Sequence, residues 1–295
     1  MKKILIALTA IGINLSLAAQ DDLLNDLESS NPTSVPVIAT FKGTRIINAH
    51  TVETVKKSNL DFRVAHRFGS IGTKNARHSL YGFDVSEDIN IAFEYGVNDR
   101  LTLGFSRSKR MEALQGLIKY RLLTQTSDGS TPVSIALMSS NVLTAVANSS
   151  EGYRYTTYTD RLTYVNQAII ARKFSDKLSL QISPTIIHRN WVFDAEDENT
   201  NFSLGFGGRI KLTKRSAIVG DVFYTVSKYR QNRKGIYLMP PLSLGYEIET
   251  GGHVFTLMFS NASGILENDY LVNTFDSWGK GQFKFCFLIS RNFRV

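Results

Sequence analysis

From residue 60 to residue 293 the chain alternates apolar and polar side chains, one segment after another. The stretch INIAFEYGVNDRLTLGFSRS at 89–108 shows the pattern. Ile89, Ile91, Phe93 and Tyr95 share one parity, and Asn90, Ala92 and Glu94 share the other. After Gly96-Val97-Asn98-Asp99 the alternation resumes, with Leu101, Leu103 and Phe105 against Thr102, Gly104 and Ser106. Successive side chains of a strand point to opposite faces, so these are two half-buried antiparallel strands. Gly96, Asn98 and Asp99 suit the tight turn between them, because they tolerate left-handed backbone or bond their own backbone.

The same reading predicts further strands. Leu60, Phe62 and Val64 mark one, and Leu114, Ile118, Tyr120 and Leu122 another. Val133, Ile135 and Leu137 follow, then Leu178, Leu180, Ile182 and Ile186. Later come Phe202–Leu212, Ile218–Val226, Leu242–Ile248, Phe255–Phe259 and Phe283–Phe293. In 162–173 both parities mix polar and apolar groups, so its faces stay unassigned. The total is about twelve strands, many near the roughly 9–11 residues that cross a bilayer. Short connections at 96–99, 174–176, 213–215 and 249–252 are interspersed with longer ones at 69–87, 141–161, 189–200, 228–236 and 262–280. Short turns on one side and long loops on the other characterise an up-and-down transmembrane β-barrel.

The polar parity carries Arg63, Glu94, Lys119, Arg121, Arg209, Lys211, Asp221, Glu247, Glu249 and Lys284. An apolar core cannot hold so many charges, whereas a barrel lumen can. In lipid every backbone N–H and C=O must be satisfied internally, which a closed barrel achieves and an open sheet does not. The expected fold is therefore all-β: an antiparallel transmembrane barrel over 60–295, with these ten residues facing the lumen. As a pore lining their slight basic excess would favour anions. As salt bridges they would close the barrel, and the sequence leaves both readings open. Residues 37–59 are strand-like, and 37–55 (VIATFKGTRIINAHTVETV) is expected to form a partial plug or to lie at the mouth. The alternative is that this segment adds two strands, giving fourteen.

The first residues change the picture of where the chain goes. Lys2 and Lys3 precede an apolar run from Ile4 to Leu17, followed by Ser16-Leu17-Ala18-Ala19. This is the layout of a secretory signal peptide over 1–19. Residues 20–36 then read as an acidic, Ser/Pro-containing periplasmic leader. The formal charge is +8, and about +6 without Lys2 and Lys3, with no Lys/Arg block of the kind that neutralises phosphates. A nucleic-acid partner is not expected. Cys286 is the sole cysteine, which excludes an intramolecular disulfide.

Other candidate chemistry is thin. His50, His66, His78, His188 and His253 lack metal-ligand spacing. His78-Ser79 is the only adjacent Ser/His pair and has no third group to orient it. Asp194, Glu196, Asp197 and Glu198 form an acidic loop cluster that fits no EF-hand. Gly205-Phe206-Gly207-Gly208 lacks the Lys-Ser/Thr of a phosphate loop, and small residues there give room inside a barrel wall. The run YRYTTYTDRLTY at 153–164 reads as an interfacial aromatic girdle, or as a surface that contacts a sugar or other ligand. No enzyme, metal or cofactor is expected.

Three stretches carry a resemblance: FKGTRIINAHTVETVKKSNLDFRVAHRFG (41–69), LYGFDVSEDINIAFEYGVNDRLTLGFSRS (80–108) and LIKYRLL (117–123). His66-Arg67-Phe68-Gly69 and Glu94-Tyr95-Gly96 carry most of it. The chain resembles a family of bacterial β-barrel proteins defined by a domain of unknown function. The resemblance implies an outer-membrane barrel and supplies no activity, substrate or catalytic residue. The expected function is a porin-like channel or passive transporter of small solutes. The alternative is a non-conducting structural or ligand-binding barrel that presents its outer loops. Expected partners are outer-membrane lipid, small solutes and, during biogenesis, the barrel-assembly machinery.

Overall fold

A computed structural model of the chain describes residues 34–74, 76–149, 152–232 and 237–295. The signal peptide and most of the leader lie outside these residues.

Twelve strands form one closed antiparallel barrel. They are β1 (Asn59–Ser70), β2 (Ser86–Asn98), β3 (Leu101–Ser108), β4 (Leu114–Leu123), β5 (Ser134–Leu143) and β6 (Leu162–Lys173), followed by β7 (Leu178–Arg189), β8 (Thr200–Lys211), β9 (Ser216–Val226), β10 (Leu242–Thr250), β11 (His253–Ser260) and β12 (Lys284–Arg294). Each pairs with its sequence neighbours, and β1 closes the ring on β12, with Arg63 opposite Ser290 and Val64 opposite Ile289. Closure removes the free edges that a sheet otherwise presents. Among the described residues two short α-helices lie in the connections, α1 (Lys228–Asn232) and α2 (Glu267–Tyr270), besides four 3-10 turns.

Ile91, Phe93, Tyr95, Leu103 and Phe105 all point outward and are about half exposed, as the alternation requires. So do Ile118, Leu137, Ile182, Leu204, Phe206, Ile218, Leu244 and Leu257 around the wall. An exterior this apolar fits hydrocarbon.

Two connections depart from the expected alternation of lengths. The β3–β4 connection, at the long-loop end, spans only 109–113, while β4–β5, at the short-turn end, spans 124–133. The latter carries a strand-like contact with the incoming chain: Val37 N donates to Gln125 O at 2.7 Å, and Ser127 N to Val35 O at 2.9 Å. The loop expected from 141 starts at 144, because Asn141 and Leu143 still pair with β4 and β6.

The interior is filled. Residues 39–55 run up the lumen from the short-turn end and return. Ile46 N donates to Ala49 O and Thr51 N to Thr44 O, both at 2.9 Å, which closes a tight loop with Ile47 and Asn48 at its tip. Phe41, Ile46, Ile47, Ala49 and Val52 are buried against inward side chains of the wall, including Leu117, Met138, Ile169 and Phe223. From the opposite end the β11–β12 connection folds inward, and Glu267 to Val272 are all buried.

Glycines make room for this filling. A Cβ on Gly96 would lie 2.1 Å from Lys56 O and 2.5 Å from Val55 O. On Gly207 it would lie 2.6 Å from Ile46 Cδ1. Backbone or side chain of the inner segment occupies the space that a larger residue would need.

Candidate functional site

The inner segment is held by charge on nearly every side. At its tip, Asn48 N and Ala49 N donate to Asp221 Oδ2 at 2.6 and 2.8 Å, and Asn48 Nδ2 donates to Oδ1 at 3.1 Å. Asn48 Nδ2 also donates to Ser243 Oγ at 2.7 Å, and Arg67 donates to Asn48 Oδ1. Asp221 therefore acts as an anionic cap on a two-residue backbone turn. Hydrogen bonds to a charged acceptor are among the stronger ones, at about 1.5–3 kcal/mol each.

Lower in the lumen, Arg63 bridges Asp61 at 2.8 Å and Glu94 at 3.0 Å, and donates to Thr44 Oγ1 of the segment. Lys119 Nζ, fully buried, donates to Thr44 O at 3.1 Å and Glu53 O at 3.3 Å. Arg121 reaches Val52 O at 3.2 Å, Glu53 at 3.3 Å and Thr54 Oγ1 at 2.6 Å. The cations of the wall thus take the carbonyls that a single loop, unlike a strand in a sheet, cannot satisfy by itself.

The segment and the inward connection meet. Arg45 Nη1 lies 2.9 Å from Glu267 Oε1, and His50 Nε2 lies 3.3 Å from the same oxygen. Gln115 Nε2 donates to Glu267 Oε2 at 2.8 Å. Burial opposes the charge on Glu267, but Arg45 and His50 hold its carboxyl well below the usual range. Burial, and then the charges of Arg45 and Lys119, push His50 down to about 3, so its ring is neutral near pH 7. Arg67 donates to Ala262 O at 2.9 Å and also to Gly264 O, which ties the same connection to β1.

The ten residues expected in the lumen separate by place. Arg63, Glu94, Lys119, Arg121 and Asp221 gather round the inner segment. Arg209 pairs with Glu247 at 2.8 Å and Glu249 at 3.1 Å nearer the short-turn mouth, and Glu249 reaches the segment through Lys42 at 2.7 Å. Lys211, half-buried, lines a cavity of about 160 Å³ at that mouth with Lys42 and Arg209. Lys284 is remote from these and anchors the β11–β12 connection, with Asn261 O at 3.2 Å and Asp276 at 2.5 Å. Arg45, Asn48, Glu53 and Glu267 escape a strand-parity reading because they lie in loops. Arg67 does not, since it shares the parity of Arg63.

The remaining candidates are engaged locally. Ser79 Oγ donates to Ala76 O and accepts from Gly82 N, each at 3.2 Å. In the acidic loop, Asp197 pairs with Arg189 at 3.3 Å and Arg230 at 2.7 Å, and Glu198 accepts from Ser227 Oγ at 2.6 Å. Among the described residues no group of three His, Cys, Asp or Glu side chains is placed to hold a metal ion. Above them, at the long-loop end, Tyr153, Tyr155 and Trp191 cluster beside a second cavity.

No curated protein matches the chain. Among solved structures, the KdgM porin aligns over 80% of this chain and 99% of its own, at 9% identity and a TM-score of 0.48. The NanC porin aligns over 80% of this chain and 100% of its own, at 8% identity and a TM-score of 0.47. LpxR from Salmonella typhimurium aligns over 81% and 100%, at 10% identity and a TM-score of 0.38. The family assignment comes from sequence instead: residues 41–293 match the membrane bound beta barrel domain DUF5777, and the chain belongs to that family.

Proposed function

We propose that this chain is an outer-membrane, porin-like barrel that passes small solutes passively, through a gated pathway rather than a standing pore. The signal peptide exports it, the barrel-assembly machinery inserts it, and outer-membrane lipid surrounds it. No reaction and no nucleic-acid partner enters this reading. The observation that carries it is the seating of residues 39–55 in the lumen on Asp221, Arg63, Lys119 and Arg121. The segment is held by hydrogen bonds and ion pairs as well as by the packing of Phe41, Ile46, Ile47, Ala49 and Val52. Ser179, Gln181, Ser183, Thr185, Ser203 and Thr256 line the wall with groups that water can satisfy once the segment leaves. The excess of Arg and Lys among the lumen charges would then favour anions.

Planar-bilayer recording of the refolded full chain tests this. Inserted protein is expected to be silent, and urea at about 2–3 M to evoke reversible, mildly anion-selective steps by weakening the segment's docking. A large ohmic step on insertion, before any urea, contradicts closure. Silence throughout contradicts transport and favours the second reading, a non-conducting ligand-binding barrel, which the filling of the lumen from both ends supports.

A further inference from the structure

At the long-loop end, a cavity of about 410 Å³ opens between the β5–β6, β7–β8 and β11–β12 connections. One side is aromatic. Tyr153 and Tyr155 stack at 5.6 Å and 7°, and Trp191 packs against both at 5.7 and 5.1 Å. Arg161 covers the Tyr155 ring at 4.5 Å, which fixes that ring's position.

The other side is polar and carries two atoms that the protein leaves without a partner, Asn268 Oδ1 and Arg189 Nε. Both residues line the cavity and are more than nine-tenths buried, at 5% and 8% exposed. Arg189 spends its other nitrogens on Asp197, Glu198 O and Asn201. One orphan is an acceptor and the other a donor, each costly to bury unmatched. Both atoms are covered by the protein, so they lie behind the cavity's polar surface rather than on it.

We infer that this cavity is a binding site for a neutral saccharide of one or two rings. Sugar rings present C–H groups that suit the negative face of an aromatic, and their hydroxyls suit the half-buried Asp160, Arg161 and Asn273 of the lining. The volume lies within the range of small-molecule sites. Charge argues against a cation, since Arg110, Arg161, Arg189 and Arg230 all line the cavity. It argues equally against a dedicated anion site, since Arg110 is tied to Asp269, and Arg189 and Arg230 share Asp197. The floor residue Asn268 follows Glu267, the clamp on Arg45 and His50, so an occupied cavity abuts the clamp of the inner segment.

The test uses the full chain refolded in a detergent without a sugar headgroup. Trp278→Phe leaves Trp191 as the only tryptophan of the two in the chain. Maltose, lactose and N,N′-diacetylchitobiose are titrated by fluorescence and calorimetry. At least one is expected to bind saturably, and Trp191→Ala or Asn268→Leu to weaken it tenfold or more by calorimetry, in protein whose gel mobility shows a folded barrel. A glycolipid bearing the same disaccharide separates the sources: tighter binding assigns the site to a membrane glycolipid, equal or weaker binding to a free sugar. No saturable binding up to about 50 mM, or binding untouched by both substitutions, overturns the site. Binding is read whether or not the barrel conducts, so failure here leaves the closed-barrel reading standing.

Discussion

Asp221→Ala is expected to release the tip of the inner segment and to raise the reactivity of a thiol at Ile46→Cys by about 10²–10³-fold. Three hydrogen bonds from Asn48 and Ala49 end on this one carboxylate. Its removal leaves two backbone N–H groups and an amide buried without their acceptor. Each such loss costs about 1–3 kcal/mol, and water entering the gap recovers part of it. A net 3–4 kcal/mol converts, at 1.4 kcal/mol per factor of ten, to that change in the population of undocked segment. Ile46 is 2% exposed, and the native Cys286 is 1% exposed in the wall, so the labelling background is low. Asp221→Asn keeps one acceptor oxygen and should fall between the two. Equal labelling rates in all three proteins would show that the tip is held by something other than this cap.

Arg63→Met is expected to destabilise the barrel by about 3–5 kcal/mol, the usual cost of removing one partner from a buried ion pair. Arg63, Asp61 and Glu94 are each 3–4% exposed, and the guanidinium lies between the two carboxylates. Without it both acids stay buried beside each other. The triple change Arg63→Met, Asp61→Asn, Glu94→Gln removes the stranded charges and should recover much of the loss, since a buried ionic cluster often does little better than its neutral replacement. The midpoint of urea unfolding in lipid vesicles reads both. A single variant no less stable than the parent would mean that the cluster is solvated.

Alternation marked eleven of the twelve strands, because one face meets an apolar surrounding and the other the lumen, and a period of two records that difference residue by residue. It faltered in 162–173 for a physical reason. There the inward residues Val165, Ile169 and Ala171 are apolar because they help pack the filled interior, while the outward Asn166 and Arg172 are polar. With both faces mixed, parity carries no sign.

The charges of the lumen were legible as charges but not as a site. Arg63 and Glu94 are diagonal neighbours on the inner face of β1 and β2, since Asp61 pairs with Glu94 and Arg63 with Ala92. Asp221 gives no such hint. Its partners are backbone N–H groups 172 and 173 positions away in a segment outside the sheet. Glu267 is hidden for the same reason: it lies on α2, in a connection whose inward fold depends on Arg45 and Gln115. Contacts between a strand and a loop leave no period in the sequence. Glycine gave a partial trace: Gly207 falls in the run expected to give room inside the wall, whereas Gly96, expected in a turn, lies within β2 against Val55 and Lys56.

The central claim is that residues 39–55 occupy the lumen of the folded barrel, and cross-linking their tip to the wall tests it most directly. Asn48 and Ser243 are in contact, with Nδ2 2.7 Å from Oγ. The pair Asn48→Cys and Ser243→Cys, treated in the membrane with a short bifunctional thiol reagent, is expected to give one intramolecular link, identified by the mass of the joined peptides. The linked barrel should stay silent in urea that opens the unlinked one. Failure of the two thiols to join, while each labels freely with a water-soluble reagent, would place the segment outside the lumen and contradict the account.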